Sequence, residues 1–505
     1  MEQTLIHILN GFSVCLQPIN LWYTFLGCFL GTIIGVLPGI GPSAGIALLI
    51  PVTYGMNPTS ALIMMSGIFY GARYGGSTTA ILINTPGEAS SVMTTLDGYQ
   101  MALKGRAGAA LAISALGSFI AGTLGVVGLT LFAVPLASMA LKFGPAEYFT
   151  LMFFAMTAVS SLAGKSPAKA MISTILGLMI ATIGIDLQSG QPRYTMGIPE
   201  LQDGVGFIIA VVGLFAIAEV FTTMEDMAKG SRSEIIRLSG RLWLTKEEWN
   251  RSLMPMLRGG VIGFVIGVLP GAGGTIASIM SYVWEKRLSK HPEEFGKGAI
   301  EGVAGPEAAN NSDTAGAMVP LLTLGIPGGG ATAVMLGAFI MYGIQPGPLL
   351  FQNRPDLVWG LVDSMYIGNI MLLILNLPLI GIFVRLLYIP SGILMPLILA
   401  ISTIGIYAIN GNPVELYFGL IFGVIGYVFR KVDIPLAPMV LSLVLGGIME
   451  QSFRQAMTIS GGNPKILVGS AICITLVALA VLSVLLPFLL PRLKAWRDGS
   501  RETDE

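Results

Sequence analysis

One pattern limits this chain more than any other: apolar stretches of membrane-spanning length follow one another almost without pause, and several are cut by Pro-Gly pairs. A helix needs about 20 mostly apolar residues to cross a bilayer. Such stretches cover roughly residues 21–37, 44–72 (broken at Pro51 and Pro58), 75–86, 107–141, 145–162, 167–187 and 205–224. They resume at roughly 259–284, 314–350, 357–388, 390–409, 414–429, 434–449 and 466–490. Only 11% of the 505 residues are charged and the mean hydropathy is +0.77, against about 25% charged in soluble domains. No window alternates polar and apolar residues as an outer-membrane strand does. The pattern predicts an all-α polytopic membrane protein of about ten to fourteen spans.

The basic residues give an orientation. Lys229, Arg232, Arg237, Arg241, Lys246, Arg251 and Arg258 crowd a polar segment, 225–258. Lys286, Arg287, Lys290 and Lys297 follow a later span, and Arg492, Lys494, Arg497 and Arg501 fill the tail, 491–505. All three read as cytoplasmic. The stretch 187–204, with Arg193 alone, reads as external. A formal net charge of zero gives no electrostatic grip on nucleic acid. Cys15, Cys28 and Cys473 are scattered among apolar residues and read as small core hydrophobes. Residues 1–17 read as an amphipathic lead-in rather than a removed signal.

The chain repeats itself. GTIIGVLPGIG at 31–41 recurs as GFVIGVLPGAG at 263–273. Each copy is followed by a second break, Thr85-Pro86-Gly87 and then Ile326-Pro327-Gly328. Later, Pro145 and Glu147 match Pro413 and Glu415, and Pro167 matches Pro435 at the same offset. Three landmarks in one order in each half predict two homologous repeats, 1–224 and 259–490, joined by the polar segment. Lys165 and Lys169 fall on the same side as Arg430 and Lys431, which favours parallel repeats, but re-entrant segments could invert the parity, and both arrangements stay open.

Pro removes a backbone donor and breaks a helix, and Gly lets the backbone turn and approach a ligand. In lipid an opened backbone is tolerated only where it is buried in protein or lines a polar cavity. In transporters built from repeats, discontinuous helices meet near the midplane, their N-termini facing anionic groups and their freed carbonyls facing coupling cations. The breaks therefore mark the expected site: Pro38 and Gly39, Thr85, Pro86 and Gly87, Pro270 and Gly271, and Pro327, Gly328, Gly329 and Gly330. The polar residues beside them, Arg73, Ser77, Thr78, Thr79, Asn84, Asn310, Asn311 and Thr332, supply donors for substrate oxygens, and Gly75 and Gly76 are expected to expose N–H groups between two half-helices. Ser312, Asp313 and Thr314 are the expected sodium ligands, with Asp313 also open to a proton, or to a structural reading as a helix N-cap. Arg73 either forks onto a substrate carboxylate, reaches the headgroups, or pairs with Glu88 or another acid.

Enzyme motifs fail on their requirements. Gly41-Pro-Ser43-Ala-Gly45 has the nucleophile pattern, but the two histidines, His7 and His291, lie elsewhere in the sequence and no base is in view. Gly164-Lys165-Ser166 resembles the end of a phosphate loop, with Val159 where its first glycine should stand.

The paired GVLPG motifs, with YGGSTTAILINTPG at 74–87 and GIPGGG at 325–330, resemble the large membrane subunit of tripartite tricarboxylate transporters, the TctA type. The resemblance implies about twelve spans in a bacterial inner membrane, with Pro-Gly-broken or re-entrant helices. It implies two partners, a small four-span membrane subunit and a periplasmic solute-binding protein. It also implies sodium- or proton-coupled import of tricarboxylates or related carboxylates, with no cofactor beyond the coupling ion. A stand-alone carboxylate carrier is the alternative.

Overall fold

A computed structural model describes residues 2–37, 40–162, 166–186, 189–229, 236 and 240–499. Pro38, Gly39 and the Gly164-Lys165 pair lie outside the described residues, as do most of 230–239. The principal helices are, in order, α1 Glu2–Cys15, α2 Pro18–Val36, α3 Gly41–Leu49, α4 Pro58–Ile83, α5 Val92–Leu103, α6 Ala107–Ala140, α7 Pro145–Leu162 and α8 Pro167–Ala181. They continue with α9 Phe207–Ala228, α10 Lys246–Val268, α11 Gly273–Leu288, α12 Glu301–Leu324, α13 Gly330–Met341, α14 Pro355–Asn376, α15 Ser391–Asn410, α16 Val414–Lys431, α17 Leu436–Ile459 and α18 Ala471–Gly499.

Among the described residues seven helices are long and apolar enough to cross a membrane: α2, α6, α9, α10, α14, α15 and α17. Large apolar side chains such as Leu131, Ile404 and Tyr417 face outward, as lipid requires and water would penalise. This is a multi-pass helical membrane protein.

The chain forms two compact units, and each draws on both sequence halves. One comprises residues 1–141 and 208–427, the other 142–207 and 428–505. The halves 1–224 and 259–490 are therefore not separate bodies. In the smaller unit α7, α8, α17 and α18 pack together. A two-residue antiparallel ladder, β1 Gly184–Ile185 with β2 Pro192–Arg193, follows α8. Beside it Arg193 binds Glu450 at 2.8 Å and Arg454 binds Asp186 at 2.9 Å.

Three sequence expectations change in the larger unit. α4 runs unbroken from Pro58 to Ile83, so Gly75 and Gly76 do not divide it into half-helices. These glycines serve packing instead: a Cβ on Gly75 would sit 2.4 Å from the Thr32 carbonyl oxygen of α2. The span expected from 314 begins at Glu301. Asp313 therefore stands in the middle of α12 and is no N-cap. Finally, α10 starts inside the segment expected as a polar linker. Thr245 accepts from the Glu248 N–H at 3.2 Å while Glu248 accepts from Thr245 N–H at 2.7 Å, a capping box that fixes the start at Lys246. The break expected at Pro51 and Pro58 is present, as a 3₁₀ turn Pro51–Thr53 and a helix start at Pro58 capped by Asn57.

The core is a set of close helix pairs. Gly27, Gly31 and Gly35 of α2 lie on the α4 backbone at Met64, Ile68 and Ala72, and Gly259, Gly263 and Gly267 of α10 lie on α12 at Gly305, Ala309 and Asp313. Small residues every fourth position let helices approach where lipid offers no hydrophobic drive. α12 is buried from Glu301 to Thr323 despite its polar residues, enclosed by α4, α5, α6, α10 and α11.

Direction can be read from side-chain pairs. Arg73 meets Asp313 while Ser77 meets Glu307, so α4 and α12 run antiparallel. Asn369 meets Phe119 and Thr123 while Tyr366 meets Thr130, so α6 and α14 also run antiparallel. α6 and α12 run parallel, Ser114 meeting Glu307 and Ser118 meeting Asn311.

Candidate functional site

The helix starts after the two GVLPG motifs stand at one buried guanidinium. Arg73, 7% exposed, is carried by the middle of α4. Its Nη1 donates to Glu88 at 2.7 Å and its Nη2 to Asp313 at 3.2 Å. The guanidinium lies 5.4 Å from the Phe69 ring centroid, a cation–π contact. Ser90 also donates to Glu88. Of the alternatives open for Arg73, pairing with acids is the one present. Its Nε has no hydrogen-bond partner among the described residues.

The helix starts after the Leu-Pro-Gly motifs stand beside this pair. A Cβ on Gly274, in the first turn of α11, would lie 2.6 Å from Arg73 Nη1, and one on Gly41, at the start of α3, would lie 3.7 Å from Glu88 Cβ. Gly41 and Gly273 both have positive φ, 58° and 62°, which a side chain would strain. The later breaks close the set. Gly87 lies on Gly35 and Gly76, the Gly271 N–H donates to Gly328 O at 2.9 Å, and Gly329 faces Gly273. Pro327 and Gly328 are buried; Pro86 and Pro270 belong to the same turns, Pro86 partly exposed and Pro270 buried. Three described Pro-Gly breaks distant in sequence, at 86–87, 270–271 and 327–328, are thus linked around this pair, with the N-termini of α3, α11 and α13 close to it.

One turn along α4 from Arg73 is a second polar cluster. Glu307 of α12 is fully buried. It accepts from Ser77 of α4 and Thr94 of α5, from Ser114 of α6 at 3.2 Å, and from the Asn310 amide at 3.5 Å. Among the described residues no basic side chain forms an ion pair with it. Asn311 donates to Ser118 at 2.7 Å and to the Glu307 carbonyl at 3.1 Å, so it fastens α12 to α6. A cavity of about 10 Å³ lies beside the cluster, lined by Tyr74, Ser77, Thr78, Leu111, Ser114, Ala115 and Asn376.

The other expected residues have local roles in the fold. Asn84, exposed and left-handed at φ 53°, ends α4, and Thr85 donates to Ile83 O. Thr79 donates to Gly76 O, and Thr332 accepts from the Gly329 N–H at 2.9 Å and starts α13 beside Gly330. Of the expected sodium ligands, Asp313 holds Arg73, Thr314 donates to Asn310 O at 3.5 Å, and Ser312 Oγ is buried with no hydrogen-bond partner among the described residues.

Glu307, Thr94, Ser114 and Asn376 escaped the sequence reading. The signal was there for Glu307: an acid three and four residues before Asn310 and Asn311 shares their helix face, and an acid inside an apolar region marks function. Starting the span at 314 hid it in a loop.

The sequence model of the Tripartite tricarboxylate transporter TctA family matches residues 21–441. A relative from Agrobacterium vitis, described as an uncharacterized 52.8 kDa protein in the TAR-I ttuC' 3' region, is 48% identical over 488 residues, 97% of each chain. A second from the same organism, described as an uncharacterized protein in the TAR-II ttuC' 3' region, is 48% identical over 236 residues, 47% of this chain and 97% of its own length. No solved structure matches.

Proposed function

The chain belongs to the tripartite tricarboxylate transporter TctA family, whose members are membrane transport subunits, and on that premise we propose that it is the translocating subunit of an ion-coupled importer of tricarboxylates or related carboxylates. In this reading it sits in a bacterial inner membrane with about twelve spans. It works with a small four-span membrane subunit, and a periplasmic binding protein delivers its substrate.

The observation that carries the reading is the gathering of the breaks at 86–87, 270–271 and 327–328, and of the start of α3, around the Arg73–Glu88 pair. Three helix N-termini, each a partial positive charge, and one guanidinium surround a point reached by glycine backbone. That is chemistry for an anion with several carboxylates. Glu88 and Asp313 hold the guanidinium as a substrate carboxylate would, so substrate enters by exchange with one of them. Ser77, Thr78, Asn310, Asn311 and the N–H groups of Gly328 to Gly330 border the same region.

The antiparallel course of α4 against α12, and of α6 against α14, supports inverted repeats. Each pair occupies matching places after the two GVLPG motifs, and parallel repeats would keep matching helices codirectional. An inverted pair places a shared site at the midplane, where alternating access pivots.

The test is uptake of labelled di- and tricarboxylates into proteoliposomes holding both membrane subunits, with receptor supplied or withheld, and with sodium or proton gradients. Receptor-dependent, gradient-driven uptake of at least one carboxylate is expected. Uptake at full rate without receptor points to a stand-alone carrier, and no carboxylate uptake under any gradient refutes the reading.

A further inference from the structure

The Arg73 region holds more acidic than basic side chains. Glu88 and Asp313 face one guanidinium, and Glu307 stands one helical turn along α4, at Ser77. Among the described residues Arg73 is the only buried basic side chain. When these acids are ionised, such an interior repels an anionic substrate unless cations enter first.

The place for one cation is built around the small cavity. A hydroxyl has one proton to donate and two lone pairs to offer. Ser77 and Ser114 both give their protons to Glu307, which leaves their lone pairs turned away from it. Both hydroxyl-bearing residues also line the cavity. Asn376, 4% exposed, lines the cavity too, and its Nδ2 donates to Leu372 O at 3.0 Å and Thr32 Oγ1 at 3.4 Å. Its Oδ1 has no hydrogen-bond partner among the described residues. Thr78 adds a further hydroxyl to the lining. The volume, about 10 Å³, is close to that of one water-sized sphere.

We propose that this cavity binds one dehydrated sodium ion, held by the oxygens of Ser77, Thr78, Ser114 and Asn376, with Glu307 behind the two serines as counter-charge. Oxygen-only ligands suit a hard cation. The four ligand-bearing residues come from α4, α6 and α14, so the ion joins helices of both sequence halves. The site differs from the Ser312–Thr314 run, where Asp313 is already committed to Arg73. A proton alone would need only the carboxylate; it would not need further hydroxyls and an amide oxygen around a cavity. The proposal rests on the ion-coupled reading above, and its consequence is order: sodium loads before the carboxylate.

The experiment is equilibrium binding of radioactive sodium to the purified full chain in lipid nanodiscs, without substrate or partner subunits. Saturable binding is expected, displaced by unlabelled sodium but not by an equal excess of choline. Ser114→Ala and Glu307→Gln should each weaken it at least tenfold, Asn376→Asp should retain or tighten it, and Asp363→Asn should leave it unchanged. Size-exclusion profiles and melting temperatures check that each variant is folded; if Glu307→Gln fails that check, Ser114→Ala and Asn376→Asp decide. No saturable binding, meaning that the cavity holds water only, overturns the proposal. So does binding unaffected by Ser114→Ala in folded protein, or binding fully replaced by acidification in the Asn376→Asp series. Sodium binding without carboxylate uptake would leave this site standing and defeat the transport reading; uptake without sodium binding would do the reverse.

Discussion

Replacing Arg73 by Met tests the central cluster. The guanidinium makes two ion pairs, at 2.7 and 3.2 Å, with carboxylates that are 5% and 1% exposed at the side chain. Removing it leaves both acids buried and uncompensated, and breaking a buried pair in this way costs about 3–5 kcal/mol. Ser90 still donates to Glu88, so the lower end, about 3 kcal/mol, applies; that is on the order of a hundredfold in the folding equilibrium. Neutralising one acid should return some of the loss: Arg73→Met with Glu88→Gln should recover about 1–2 kcal/mol, a coupling within the range seen for contacting residues. Unfolding of the purified chain in mixed micelles, across the four corners of the cycle, measures it. A loss below about 1 kcal/mol for Arg73→Met, or no coupling to Glu88, would mean that the cluster is open to water and would refute the reasoning. Uptake should vanish in both Arg73 variants whatever the stability, because the anion loses the one basic side chain buried among the described residues.

Gly263→Ala should destabilise by about 1–3 kcal/mol through overpacking, since its Cβ would lie 2.1 Å from the Ala309 carbonyl oxygen. Gly447→Ala in α17, with nothing within 4 Å, should instead be neutral or gain up to about 1 kcal/mol of helix propensity; melting temperatures compare the two. Asp97→Asn should cost about 1–3 kcal/mol and speed cleavage by trypsin at Lys290 and Lys297, because Asp97 Oδ1 accepts the N–H groups of Gly296, Gly298 and Ala299 at 2.7–2.8 Å and Oδ2 accepts from Tyr282. The hydrogen bond from Arg251 holds the Glu294 carboxyl below the usual glutamate range. Its stabilisation is present above the unfolded value and fades as pH falls through the lower folded one, so Glu294→Gln should flatten the fall of melting temperature on acidification.

The membrane class was fully legible in the sequence, because burial in lipid is a matter of composition and length, and both are local. So were the breaks. A Pro-Gly pair ends a helix wherever it stands, and α2 and α10 do stop just before theirs. Spans that hydropathy could not bound were misread for one reason. α12 carries Glu307, Asn310, Asn311 and Asp313, and only enclosure by five other helices makes that run of polar residues a buried helix. The same enclosure keeps α4 whole through Gly75 and Gly76, where α2 presses against glycine that propensity alone would read as a hinge.

What the chain determines unaided is therefore where the backbone opens and which residues stand next to each opening. Which openings share a site, and who answers Arg73, was left to the tertiary structure. Arg73 and Asp313 are 240 residues apart, and no local rule pairs them. They meet because antiparallel α4 and α12 are held face to face by glycine contacts with α2 and α10. The Pro-Gly pattern named a transporter's broken helices; the fold turned them into one charged centre with a cation-sized cavity a helical turn away.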